Sequence, residues 1–162
     1  MSKIRKILFG WFLYPAYQIY RRVFRPKTYG VRMVLWGYRQ KKVLMVRHTY
    51  GDTTMWHLPG GAYDPKTEMR SDAAKRELFE ETGLTVSSSL HLFTYKTNAQ
   101  GNDDTVEVYL GMWHGDKNLI PTTNDPEVAE LKWFDVDDLL ETPKVYRITR
   151  QSIRALKTKV HT

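Results

Sequence analysis

Four stretches of the chain have the residue patterns of β-strands: residues 84–97 and 105–114 alternate between apolar and polar, residues 43–46 are a continuous apolar run suited to a buried strand, and residues 29–38 are mostly apolar and aromatic. The stretches form two pairs. Residues 29–38 and 42–48 are separated by three polar residues, and residues 84–97 and 105–114 are separated by a segment rich in Asn, Gly and Asp. Because short polar segments of this kind favour turns, each pair is predicted to form a hairpin.

The rest of the pattern predicts helices and two further strands. The predicted helices, the first interrupted by Pro15, cover residues 3–24, 67–82, 135–140 and 144–159. The further strands are residues 55–58 and 128–134. This order predicts the α/β class, with a mixed sheet between helices in an α/β/α sandwich. We expect residues 1–28 to form a basic, aromatic helical leader before a single domain, residues 29–162.

An acidic cluster lies on the predicted helix 67–82. Glu77, Glu80 and Glu81 are spaced i, i+3 and i+4, so they share one helix face. Such carboxylates repel one another, and their hard oxygens suit Mg²⁺ or Mn²⁺. Alternatively, this face is simply solvated, and Arg76 forms an ordinary i,i+4 ion pair with Glu80.

The residues on either side of this helix favour the metal hypothesis. Gly60 and Gly61 lie upstream, where they predict a tight turn. Gly83 stands where a glycine commonly ends a helix. A glycine turn, an acidic helix and a glycine stop together predict a loop–helix–loop that holds a divalent cation.

These residues resemble the signature of a known family, the Nudix box. Residues 61–85 contain Glu68, seven intervening residues, and then Arg76-Glu77-Leu78-Phe79-Glu80-Glu81-Thr82-Gly83-Leu84, which matches each fixed position. The box differs at one point, because six residues rather than five separate Gly61 from Glu68. We expect the turn-like residues 62–67 to absorb the insertion.

The resemblance implies an α/β/α fold and a Mg²⁺- or Mn²⁺-dependent hydrolase. Its substrate would be a small nucleotide, a nucleoside diphosphate linked to another group, and the bond cleaved would be the diphosphate. The implied metal ligands are Glu80, Glu81 and the carbonyl of Gly61, with Glu77 as a ligand or the base.

The resemblance also implies that Arg76 pairs with acidic residues of the box. On an ideal helix, Glu68 would lie roughly opposite Glu77, so Glu68 is expected to orient Arg76 rather than bind the metal.

Two other functions are compatible with this fold. Some proteins of this fold are catalytically inactive ligand-binding or interaction modules, but those usually lack box carboxylates, and here all are present. An isomerase of the isopentenyl diphosphate type shares the fold, but its chemistry resembles a protonation by a cysteine, and this chain has none.

Further site residues lie outside the box. Glu127 is the candidate for an additional carboxylate from a later loop, with three rivals, Asp103, Asp104 and Asp125. Seven aromatic residues are candidates for stacking on a base, although most such residues are core: Tyr38, Tyr50, Trp56, Tyr63, Phe93, Tyr95 and Trp113. Arg32, Arg39 and Arg47 are candidates for phosphate contacts.

Composition narrows the chemistry. The chain of 162 residues is long enough to bury a core, and the lack of cysteine excludes disulfides, thiol catalysis and cysteine-ligated metals. Five histidines show no close metal-ligand spacing and are interpreted as ordinary surface or core residues. These features are consistent with a cytoplasmic enzyme.

Charge is uneven along the chain. The net charge is +7, yet all eighteen acidic residues lie between residues 51 and 143. Residues 7–20 are aromatic and apolar, too short to span a bilayer, and flanked by Lys and Arg. We expect them to pack on the domain or on a second subunit of a homodimer. The alternative is peripheral contact with an anionic membrane. No nucleic-acid partner is expected, because no recognised motif accompanies the charge.

Overall fold

The computed structural model describes residues 27–39, 41–98, 103–115, 121–123 and 125–160. The predicted helix 3–24 and the apolar run 7–20 lie outside these residues. The described part contains five strands and three helices: β1 Lys27–Gly37, β2 Lys42–His48, α1 Arg70–Thr82, β3 Ser89–Thr97, β4 Asp103–Trp113, β5 Val128–Asp135, α2 Val136–Glu141 and α3 Arg147–Val160.

The five strands form one mixed sheet in the order β3-β4-β1-β2-β5. Strands β1 and β4 are parallel, and the other neighbouring pairs are antiparallel, including both predicted hairpins. Because β1 and β4 are not consecutive along the chain, their parallel pairing requires the long crossover that contains α1.

The glycine turn lies between two diverging strands. Strands β1 and β2 pair directly only at Trp36 with Val43 and Gly37 with Lys42. Toward the N-terminal end of β1, the backbone N–H of Val31 donates to the carbonyl of Gly61 at 2.9 Å. The backbone N–H of Met33 donates to Pro59 at 2.8 Å. The segment before α1 is therefore held along the edge of β1.

Helices cover both faces of the sheet, as the sequence predicts. On one face, Val31, Met33 and Leu35 of β1 pack in a core cluster with residues of α1. On the other face, Val34 and Trp36 pack in a second cluster with residues of α2 and α3. Successive residues of β1 therefore face opposite sides of the sheet, and both sides are buried. The described residues form an α/β/α arrangement.

Helix α1 begins three residues later than predicted, at Arg70 rather than Thr67. The segment before it folds into a turn, in which Asp64 accepts hydrogen bonds from the backbone N–H groups of Lys66, Thr67 and Glu68. Asp commonly stabilises turns in this way. The extra residue of the box lies in this segment.

Some of the other boundaries also differ from the prediction. Strand β1 begins two residues earlier than predicted, at Lys27, and β3 begins only at Ser89 rather than at residue 84. The end of α1 agrees with the prediction, because Gly83 has φ +68° and its N–H donates to Phe79 at 2.8 Å. Within the described residues, no helix has the length and apolar character needed to cross a membrane.

Candidate active site

Arg76 is the centre of a carboxylate network on α1. Its Nε and Nη2 donate to the two oxygens of Glu68, each at 3.0 Å. Its Nη1 donates to Glu77 and to Glu80, each at 2.8 Å. The hydrogen bonds from Arg76 lower the pKa of Glu68. One guanidinium therefore fixes three of the four box glutamates, as a planar fork of donors can.

The contact between Glu68 and Arg76 is the one that the resemblance implies, but its geometric premise was wrong. Glu68 precedes the first residue of α1, so it does not lie on the far side of the helix from Glu77. Instead the turn that ends at Met69 brings the Glu68 carboxylate back over Arg76. Whether this contact affects activity stays a prediction.

Glu77 lies directly against the glycine turn. A Cβ atom added to Gly61 would lie 2.3 Å from Oε2 of Glu77, closer than any real contact. Burial is the main cause that raises the pKa of Glu77. Arg76 opposes this shift, and the charges of Glu80 and Glu81 add to it. Only glycine at position 61 allows this approach.

Glu81 is held by a separate set of contacts. It is 7% exposed, and its Oε1 lies 3.0 Å from Nε2 of His48 at the end of β2. Its Oε2 accepts a hydrogen bond from the backbone N–H of Gly60 at 2.8 Å. The adjacent glycines therefore contact two different glutamates. Because a buried carboxylate is costly unless it is hydrogen-bonded, both contacts stabilise Glu81.

Glu127, the predicted additional carboxylate, is connected to this site by Tyr50, whose side chain interacts with both Glu127 and His48. The Tyr50 ring stacks on His48 with centroids 5.1 Å apart. The pKa of Tyr50 is raised, first by burial and then by the charges of Glu127 and Glu81, and its side chain is hydrogen-bonded to Glu127. The negative charges of Glu81 and Glu127 thus both raise the pKa of Tyr50. The role of Glu127 stays a prediction.

The rivals of Glu127 have other contacts in the structure. Asp104 accepts a hydrogen bond from Thr28 on the neighbouring strand. Asp125 accepts the backbone N–H of Glu127 at 2.8 Å, so it shapes the loop that carries Glu127. Asp103 is the first residue of β4 and pairs with Lys27 in the sheet register.

The candidate base- and phosphate-contacting residues differ in their exposure and in the contacts that they already make. Trp56 and Trp113 are buried, at 9% and 8% exposure, whereas Tyr50 is 56% exposed beside the carboxylates. Arg47 donates to Glu130 at 2.7 Å and lies over the Trp56 ring. These contacts occupy the Arg47 guanidinium, so Tyr50 is the more accessible candidate.

The donor chemistry of the site fits a hard divalent cation, although no cage is preformed. In the described part of the chain, no three His, Asp or Glu side chains group closely enough to hold a metal ion. Instead, Arg76 bonds Glu68, Glu77 and Glu80, and His48 bonds Glu81. Mg²⁺ usually uses one or two carboxylates plus substrate phosphates and water rather than an all-protein cage. An all-oxygen set beside a glycine carbonyl therefore suits it.

His48 is the contact residue that the sequence interpretation missed. It was grouped with four other histidines as an ordinary surface or core residue, whereas it bonds a box glutamate 33 positions away. The available signal was its place at the end of the buried strand Val43-Leu44-Met45-Val46, next to the glycine turn. Its partner could not be read from the sequence, since only folding brings them together.

Comparison with known proteins gives matches of both sequence and structure. The family model for the NUDIX domain matches residues 26–156. The human protein "Nucleoside diphosphate-linked moiety X motif 6" is 29% identical over 131 residues, covering 78% of this chain and 40% of the human protein. The ADP-ribose pyrophosphatase of Mycobacterium tuberculosis is 41% identical over 68 residues, 42% of this chain and 32% of that protein. The crystal structure of MutT protein from Methanosarcina mazei Go1 gives a TM-score of 0.70 at 19% identity, covering 85% of this chain and 98% of that one.

The chain belongs to the NUDIX family, because the family model matches well over half of its length. The match with the M. mazei structure shows a shared fold. The chain spans less than half of the length of the human relative. Family membership therefore holds for the domain, and the activity of the chain is a separate question.

Proposed function

We propose that this protein hydrolyses the diphosphate bond of a nucleoside diphosphate linked to another group, in a reaction that depends on Mg²⁺ or Mn²⁺. The network around Arg76 carries this proposal, because it holds Glu68, Glu77 and Glu80 together at hydrogen-bond distance. An interaction module without catalysis would not need that arrangement. Names of relatives that act on ADP-ribose or on nucleoside diphosphate-linked groups support the substrate class.

The residues that would hold the ion are Glu77, Glu80, Glu81 and the carbonyl of Gly61. A divalent ion bound there would neutralise diphosphate oxygens and lower the pKa of a bound water. The protein's own contribution is orientation. Arg76 fixes Glu77 and Glu80, and the carbonyl of Gly61 keeps a second lone pair besides the one that accepts Val31.

The half-exposed ring of Tyr50 supports a nucleotide as substrate. One face of this ring stacks on His48 beside Glu81, and 56% of the residue is exposed to solvent. An aromatic ring in such a place can stack on a planar base, a contact worth roughly 1–3 kcal/mol per base in single-strand-binding proteins. We therefore include Tyr50 among the substrate-contacting residues of the proposal.

The proposed partners and compartment rest on the sequence. Residues 7–20 are proposed to pack on the domain or on a second subunit, rather than on a membrane surface, and no nucleic acid is proposed as a partner. The cysteine-free composition is consistent with a cytoplasmic protein.

A substrate screen with Mg²⁺ tests the proposal. The panel holds ADP-ribose, nucleotide sugars, dinucleotides and nucleoside triphosphates, including oxidised ones. Phosphate release is measured with pyrophosphatase for triphosphates and a phosphomonoesterase for linked diphosphates. We expect one clear substrate and no activity after chelation. Binding of a nucleotide without turnover of any compound would instead favour an inactive module.

A further inference from the structure

The Glu81 carboxylate is oriented differently from the other box glutamates. Among the described residues, the Arg76 side chain makes four hydrogen bonds, which go to Glu68, Glu77 and Glu80 and not to Glu81. Glu81 is also more buried than these, with its side chain 9% exposed. A buried ligand that the arginine does not reach needs another donor to fix its orientation.

His48 supplies that donor. Its Nε2 lies 3.0 Å from Oε1 of Glu81, and both residues are buried. Since an ionised carboxylate only accepts hydrogen bonds, the imidazole N–H donates. The N–H of Gly60 donates to the other oxygen at 2.8 Å. Each oxygen of Glu81 thus has one fixed partner and one remaining lone pair.

His48 is itself locked in place. The register of β2 against β5 shifts between Arg47 and His48, and such an irregularity re-aims a side chain. Its ring lies between two aromatic rings, stacked on Tyr50 at 5.1 Å and tilted against His57 at 4.7 Å. These contacts keep the ring on Glu81, so the hydrogen bond is preorganised rather than made on demand.

We propose that His48 is a positioning residue, whose hydrogen bond holds Glu81 in the orientation in which it binds the divalent cation. This rests on the proposed function, in which Glu81 is a metal ligand. His48 does not touch the substrate or the ion; it acts through Glu81. Loss of such an outer partner typically weakens metal binding about 10–100-fold.

The test is direct Mn²⁺ binding, measured from the signal of free Mn²⁺ by electron paramagnetic resonance, without substrate. His48→Leu removes the donor, and His48→Gln keeps an N–H at nearly the same reach. We expect the Mn²⁺ dissociation constant to rise about 10-fold or more in His48→Leu and to recover to within a few-fold of wild type in His48→Gln.

The chain offers a matched control in a second His–Glu pair. His91 lies 2.7 Å from the buried Glu107, away from the box glutamates. His91→Leu breaks a contact of the same kind, although Glu107 keeps hydrogen bonds from Thr94 and Arg70, and should leave the Mn²⁺ dissociation constant within about twofold of wild type, because Glu107 is not among the ligands. Thermal melting checks that each variant is folded.

Three results would overturn the proposal. The first is wild-type Mn²⁺ affinity in folded His48→Leu, and the second is an equal loss in His91→Leu. If His48→Leu does not fold, His48→Asn replaces it, since its shorter amide does not reach Glu81; equal Mn²⁺ affinity of the Asn and Gln variants would then take the place of the first result. The third is a wild-type protein that binds no Mn²⁺, which would remove the metal site itself and the role of His48 with it.

Discussion

At the scale of single residues, Arg76 decides how three of the four box glutamates are arranged. It makes a two-pronged contact with Glu68 while its third nitrogen bonds Glu77 and Glu80. A guanidinium can do this because its donors are fixed in one plane, whereas the ammonium of lysine is a single point charge. A positive charge at position 76 is therefore not sufficient to hold these three glutamates in place.

Arg76→Lys should lower kcat about 10-fold or more while the protein stays folded, because lysine cannot replace the planar fork. Steady-state kinetics and thermal melting measure the two effects. Arg150→Lys is the control, since Arg150 bonds the carbonyl of Thr142 far from the box. Unchanged turnover in Arg76→Lys would make Arg76 an ordinary surface residue.

Gly61→Ala should damage activity more than stability. The three atoms nearest the added Cβ all belong to the flexible carboxylate of Glu77, the closest at 2.3 Å, so the side chain can move away at little cost to folding. We expect kcat to fall by about 10-fold or more, because the displaced carboxylate leaves its place in the site. Equal kcat in wild type and variant would show that the close approach of Glu77 to Gly61 is irrelevant to turnover.

At the scale of elements, the neighbouring glycine should behave in the opposite way. Gly60 has φ +144°, and a Cβ there would lie 2.2 Å from the backbone oxygen of Val31 in β1. Backbone cannot yield as a side chain does. The segment that contains Gly60 lies between β1 and β2 in space, and it therefore requires glycine at this position to fit against β1.

Gly60→Ala should lower the free energy of unfolding by about 2 kcal/mol or more, the scale of a strained backbone conformation. Gly51→Ala is the control, with φ +67° and no described atom within 4 Å of the added Cβ. It should cost about 1 kcal/mol. Urea unfolding followed by circular dichroism compares them, and equal losses in the two variants would contradict the steric account.

Elements were predictable where one local pattern decides them. The bounds of β2 agree with the prediction, because Val43-Leu44-Met45-Val46 is a buried run between polar turns. The end of α1 agrees because glycine is the residue that adopts the αL conformation. The predicted start of α1 was wrong, because the residues before Arg70 form a turn closed by Asp64, and the geometry of that turn is not contained in the pattern of apolar residues.

The site was predictable only as far as it is contiguous in sequence. The box residues lie within one segment, so their spacing reveals them. The contact of His48 with Glu81 joins residues 33 positions apart, and the contact of Tyr50 with Glu127 joins a turn to a late loop. Such pairs depend on how β2, α1 and β5 pack, and the pattern of one segment does not contain that information.

At the scale of the whole molecule, the aromatic run 7–20 should matter to stability or assembly. Strand β1 begins at Lys27, which pairs with Asp103, so a deletion of residues 1–24 spares the sheet. Large apolar patches on soluble proteins mark contacts, and we expect this deletion to lower the melting temperature or to split a dimer. Scanning calorimetry and analytical ultracentrifugation measure these effects.

Sedimentation with lipid vesicles tests the alternative, in which residues 7–20 lie on an anionic membrane surface. If the run lies on anionic lipid, affinity should fall with salt and with each Lys or Arg removed, by about 1 kcal/mol per residue near the surface. Full-length protein that sediments with anionic vesicles, while the shortened protein keeps its stability and does not sediment, would contradict packing on the domain or on a second subunit.

The most direct test of the central claim is the turnover of Glu81→Gln beside wild type, with Mg²⁺ and the substrate found by the screen. Glutamine keeps the shape of the side chain and can still accept the N–H of Gly60, but it lacks the anionic oxygen that Mg²⁺ prefers. We predict that kcat falls about 100-fold or more, as when one electrostatic contact of a transition state is lost, and that chelation abolishes wild-type activity. A folded variant with kcat within about twofold of wild type would contradict the assignment of Glu81 and the metal-dependent mechanism built on it.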